Sequence, residues 1–185
     1  MARIRPIGSK TELSPEHRPV YDEIAASRGR VVGPFAVLLH SPELAQKVGQ
    51  LGAFVRYGSD VPDSVRELAT CTVGRELDAL YVWSSHVDLA RKAGVAEATL
   101  SAVKAGRPVE GEHQDVILYV QALVREHRAP EALFQRLQSR FGSKGMLELT
   151  ATVGYYSMMA AVLNGFEVEP EAGADILPVP APGRQ

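Results

Sequence analysis

Between Leu149 and Phe166 the chain reads LTATVGYYSMMAAVLNGF, 18 residues without a charge. A run of that length either crosses a bilayer or is wrapped by the rest of the protein. Thr150, Thr152, Tyr155, Tyr156, Ser157 and Asn164 interrupt it with hydrogen-bonding groups, and no basic flank follows Phe166. The segment therefore reads as the central helix of a core or of a subunit interface, apolar on nearly all sides, with small residues that let other helices come close. No membrane partner is expected.

What surrounds that helix reads as helical too, because no period-two alternation is sustained anywhere. Ser14 is a candidate N-cap with Pro15 at the first helical position and Gly29 as the stop, and Ser41 with Pro42 repeats the start of a segment that Gly58 ends. A third helix begins near Pro62, and a fourth follows Gly74 and ends at Gly94. VAEATLSAVKAG, EHQDVILYVQALVREH and PEALFQRLQSRFG supply three more before SKGMLELTATVGYYSMMAAVLNGF closes the set. The expectation is an all-α fold of about eight helices with a central helical hairpin. At 185 residues it forms one domain, 1–185. Residues 173–185, rich in proline, read as an arm or loose tail.

A formal charge of -2 removes the basic excess that nucleic acid or anionic lipid would require, so the expected partner is a small-molecule substrate. One cysteine excludes an intrachain disulfide framework and any multi-cysteine metal centre; no metal and no cofactor are expected. With no apolar segment behind the basic N-terminus, the expected location is cytoplasmic.

The unusual residues crowd together. ELATCTVGRELDALYVWSSH, Glu67 to His86, holds the only cysteine (Cys71), the only tryptophan (Trp83) and one of five histidines. Ala79, Val82, His86, Leu89 and Ala93 fall on one helical face, with Tyr81, Ser85, Asp88 and Lys92 opposite. On the preceding helix Val65, Leu68, Ala69 and Thr72 form a core stripe, and Glu67 and Cys71 lie one turn apart on a neighbouring face. An antiparallel hairpin through the Gly74 region would bring a carboxylate, a thiol and an imidazole into one small volume, suited to proton transfer near neutral pH. A plainer reading stands beside it. His86 can be a hydrogen-bonded core residue, Cys71 a small buried hydrophobe, Trp83 and Tyr81 packing anchors, and Glu67 half of an ion pair with Arg66 or Arg75.

Arg66 to Gly106, RELATCTVGRELDALYVWSSHVDLARKAGVAEATLSAVKAG, resembles the core signature of the carboxymuconolactone decarboxylase-like family. In that family an R-E-L helix precedes a Y-x-W-x-x-H-x-x-x-A-x-x-A-G-V segment. GPFAVLLHSPELAQKVGQLGAFVR and LFQRLQSRFGSKGMLELTATVGYYSMMAAVLNGFEVE extend the likeness from about residue 33 to 169. The same superfamily includes the alkylhydroperoxidase D type, whose redox centre is a C-x-x-C on the histidine helix with a glutamate on the preceding one. The matching positions here are Ala79 and Val82, so the thiol pair is missing, while Glu67 keeps its place 19 residues before His86. The resemblance implies Glu67 and His86 as proton-transfer residues; Tyr81, Trp83 and Arg66 are the expected substrate contacts, and Arg56, Arg66 and Arg75 are the nearest cations in sequence for a substrate carboxylate. It also implies homo-oligomers, trimers or hexamers. The activity expected is that of an acid-base lyase of decarboxylase type, acting on a small carboxylated or lactone metabolite of aromatic catabolism. One alternative is a hydroperoxidase using Cys71 with an external thiol; another is a binding or assembly protein of the same fold without chemistry.

Overall fold

The computed structural model describes residues 2–178. Among them are eight α-helices and no strand: α1 Arg18–Arg28, α2 Pro34–Leu38, α3 Pro42–Ala53, α4 Asp63–Glu76, α5 Leu80–Lys92, α6 Glu97–Lys104, α7 Gln114–Arg125 and α8 Glu131–Gly165. A single π-helical turn, Phe54–Gly58, continues α3.

The punctuation in the sequence falls close to these boundaries. Pro42 opens α3 and Pro62 immediately precedes α4. Gly29 ends α1 in a conformation with φ 78° and donates its N–H to the Ala25 carbonyl at 2.7 Å. Ser14 and Ser41 make no side-chain cap, and Pro15–His17 forms a 3-10 turn before α1 starts at Arg18. Gly74 does not break the third helix, which runs on to Glu76; the turn falls at 77–79. The two expected C-terminal helices form one element, α8, interrupted at Gly142, where φ 67° and ψ 175° leave helical space.

The helix buried all round is α4 rather than the uncharged run in α8. Every residue from Val65 to Gly74 is buried, and α4 packs against α5, α6, α7 and α8. Its two threonines tolerate this because they are satisfied within the helix. Thr70 Oγ1 donates to the Arg66 carbonyl at 2.9 Å and Thr72 Oγ1 to the Leu68 carbonyl at 2.8 Å. α8 is long and apolar enough to cross a membrane by length and composition. Its Leu149, Val153, Tyr156 and Met159 are nevertheless packed into the core, while Leu147 and Met158 face outward.

α4 also divides the interior. Val65, Ala69 and Val73 face the larger core built with α1, α3, α7 and α8. Leu68 and Cys71 face a smaller one with Trp83, Val87, Leu100 and Leu177. Each aliphatic or aromatic side chain so enclosed contributes about 1.5–3 kcal/mol. The chain after α8 closes the smaller core: Leu177 is buried, and Asp175 accepts from Trp83 Nε1 at 3.3 Å and Arg91 Nη2 at 2.9 Å and pairs with Lys104. The part of the expected loose tail at 175–178 is therefore docked, and its proline-rich remainder lies outside the described residues.

Candidate active site

The α4–α5 hairpin joins Glu67 to His86. His86 Nδ1 donates to Glu67 Oε2 at 2.7 Å, and both side chains are buried. Behind them Arg66 reaches Glu67 Oε1 at 3.4 Å through Nη2 and Asp63 at 2.9 Å through Nη1. Burial alone would raise the Glu67 carboxyl. The His86 hydrogen bond, with the charges of His86, Arg66 and Arg56, outweighs burial and holds it below the ordinary glutamate value. An ionised Glu67 can only accept, so the imidazole proton sits on Nδ1 and the other nitrogen, Nε2, is left for a ligand. Nε2 has no hydrogen-bond partner among the described residues, and His86 lines a cavity of about 220 Å³.

Residues far apart in sequence build that cavity. Arg28 comes from α1, Arg56 from the π-helical turn, Tyr81, Val82 and Ser85 from α5, and Tyr155, Tyr156, Met159 and Leu163 from α8. The Tyr156 and His86 rings meet edge to face, 4.7 Å between centroids at 77°, and Tyr155 meets Tyr156 the same way at 5.1 Å and 87°. Burial pushes the phenols of Tyr155 and Tyr156 up; for Tyr156 the Glu67 charge adds to the rise. Both remain protonated donors at neutral pH. Tyr81 is raised by burial and then by Glu171. Gly33, with φ 57°, seats that ring: a Cβ there would lie 2.1 Å from the Tyr81 hydroxyl.

The cationic groups are unequally matched. Arg30 pairs with Glu171, but Arg28 and Arg56 have no carboxylate partner among the described residues. Arg56 also lines a second cavity, about 270 Å³, reached from the Glu67 side together with Arg66 and Lys92. The Glu67–His86 pair thus lies between two openings. It can exchange a proton with a ligand on the Nε2 side while a fixed carboxylate balances the imidazolium.

Of the residues singled out in the sequence, Arg56, Tyr81 and His86 line the cavity, with Glu67 directly behind His86. Arg66 supports Glu67 and lines the second cavity rather than the first. Trp83 and Cys71 are turned to the smaller core and line neither cavity. The cause is a rotation of the buried face of α5: Trp83, Val87 and Ala90 are buried with Val82 and His86, whereas Leu89 and Ala93 are only half-buried. Arg75 pairs with Asp78, at the end of α4. Cys71 is fully buried and its thiol is pushed up, by burial first and by the Glu67 charge second. Arg28, Tyr155 and Tyr156 were not foreseen. The only local signal for them was a tyrosine pair inside an otherwise apolar run.

Neither a protein-family model nor a curated protein matches the sequence. Solved structures do. A peroxidase-related protein from Silicibacter sp. TM1040 superposes with a TM-score of 0.74 at 15% identity, covering 92% of each chain. The alkylhydroperoxidase AhpD core of a peroxidase-related protein from Ralstonia eutropha JMP134 gives 0.73 at 15% identity, over 92% of this chain and 93% of that one. The debrominase Bmp8, solved as a variant in complex with 2,3,4-tribromopyrrole, gives 0.70 at 13% identity, over 93% of this chain and 95% of that one. At such identities the likeness establishes the fold, which is that of alkylhydroperoxidase D.

Proposed function

We propose that this protein is an acid-base enzyme of the alkylhydroperoxidase D-like fold that decarboxylates a small carboxylated or lactone metabolite with His86 as the proton donor. The observation that carries the reading is the buried 2.7 Å Glu67–His86 hydrogen bond, which leaves Nε2 as the one functional imidazole atom beside a cavity. A cavity near 220 Å³ suits one substituted ring, since about 150 Å³ suffices for benzene. A neighbour of the same fold solved with a brominated pyrrole is in keeping with a ring-shaped ligand. Two arginines without carboxylate partners favour an anion.

The chemistry needs no thiol. The bond between the substrate carbon and its carboxylate breaks, carbon dioxide leaves, and the electron pair stays on the substrate as an extended enolate. Protonated His86 transfers its Nε2 proton to that carbon, and solvent restores it. Arg56 and the protonated Tyr156 phenol stabilise negative charge developing on the enolate oxygen. Glu67 keeps the ring oriented and balances its charge. The hydroperoxidase alternative lacks comparable support, because Cys71 is sealed in the smaller core and lines neither cavity.

Release of carbon dioxide from 4-carboxymuconolactone and related lactone acids is the direct assay. His86→Ala should reduce release per folded molecule by about 10²–10⁴-fold, and Glu67→Gln should lower it in the same direction. Equal rates in wild type and His86→Ala would end this reading, and absence of turnover on every lactone acid would favour a binding protein.

A further inference from the structure

We infer that Arg28 and the Tyr155 hydroxyl form a built carboxylate anchor, seated on the small-residue face of α3, which orients the substrate against His86. The inference rests on the reading of the cavity as a site for an organic anion.

Arg28 is held from several sides, none of them acidic. Its Nη1 donates to Ser27 Oγ at 2.6 Å and its Nη2 to the Gly49 carbonyl at 3.1 Å, and the guanidinium lies 4.0 Å above the centre of the Phe35 ring. Two of its five N–H donors are thereby used. A further one is directed to the Tyr155 hydroxyl, which keeps its own O–H to donate, and the rest sit on a planar fork whose orientation is already fixed, an arrangement that receives a carboxylate with little ordering cost. The Tyr155 hydroxyl completes the anchor. Gly52 is what admits it: a Cβ at residue 52 would lie 2.1 Å from Tyr155 Oη and 2.9 Å from Arg28 Nη2, so the two donors converge over that bare Cα. Tyr155 then leads through Tyr156 to His86 by successive edge-to-face contacts. A ligand carboxylate held at Arg28 would leave the rest of the molecule running along the two tyrosines toward Nε2. Other cavity cations differ: Arg30 is neutralised by Glu171, and the charge of Arg56 is shared among Glu67, Tyr156 and Tyr155 rather than held at the anchor.

Titration calorimetry of the full chain with benzoate and with benzamide, which differ in charge and little in shape, tests the assignment. Wild type should prefer benzoate by about tenfold or more, the size of a charge-assisted pair. Arg28→Gln should bring the two affinities together while leaving that for benzamide in place, Arg28→Lys should keep part of the preference, and Gly52→Ala should erode it by displacing the hydroxyl. If wild type prefers benzoate and Arg28→Gln keeps the full preference, the anchor lies elsewhere and the anion site stands. If wild type shows no preference or binds neither probe, the anion reading falls and the anchor with it. Should Arg28→Gln fail to fold, Arg28→Lys decides, since an unchanged ratio there excludes a forked contact.

Discussion

The α4–α5 hairpin has two sides, and they put the same kinds of residue to opposite uses. On one, Glu67 and His86 form a charged hydrogen bond at the edge of a cavity. On the other, Cys71 and Trp83, from the same two helices, are fully enclosed with Leu68 and Val87. Polar chemistry survives on the first side because its two central groups are matched, with Arg66 behind Glu67 and Tyr156 against His86. The polar links of the second side gather at its rim, where Asp175 takes Trp83 Nε1, Arg91 and Lys104. The rarest residues in a sequence are therefore not its most reactive ones; enclosure decides.

That contrast can be broken by substitution. The largest effect belongs to the dry side: Trp83→Ala should lose about 3–5 kcal/mol in denaturant unfolding, as large buried aromatics do, without altering turnover per folded molecule. On the wet side His86→Ala should reduce turnover per folded molecule by about 10²–10⁴-fold, the range for a lost general acid, while losing some stability because the buried Glu67 carboxylate loses its partner. If instead His86→Ala unfolds the protein and Trp83→Ala only slows it, the roles of the two faces are reversed. Cys71→Ala should cost about 1 kcal/mol and leave turnover intact, and the wild-type thiol should resist a thiol reagent until the protein unfolds. Rapid labelling of the folded protein would reopen thiol chemistry.

The smallest effect is a matter of sign. Glu67 has a lower pKa folded than its ordinary value of 4.5, so its contribution to stability is complete above that value and disappears as the pH falls through the lower folded one. Stability measured against pH should lose this acid-side slope in Glu67→Gln. A slope unchanged by the substitution would mean that Glu67 is not held ionised.

How far these features could be read from sequence depended on their range. Helix starts at Pro42 and after Pro62, and the stop at Gly29, are local chemistry and were legible. So was the Glu67–His86 pairing, since a tight hairpin fixes which turns of two adjacent helices meet. The burial of α4 was hidden because Arg66, Glu67, Thr70 and Thr72 look like surface residues until their internal partners are known. Arg28 and Tyr155 were harder still, and Arg56 was legible only as one of three candidate cations. They reach one cavity only through the packing of α1, the turn after α3, and α8, a tertiary arrangement that no period within a single helix encodes. The identity of the inward face of α5 failed for a related reason: two cores, not one, compete for that helix, so its buried stripe is wider than a single-core pattern predicts.

The bond between Trp83 and Asp175 has an optical consequence. As the sole tryptophan, Trp83 is the only indole emitter in the chain, and it stands in the smaller core with a carboxylate of the C-terminal segment against its ring nitrogen. Its fluorescence therefore reports whether that segment is seated, through a shift to longer wavelength when water reaches the indole. Ligands entering beside His86 should leave the emission nearly unchanged.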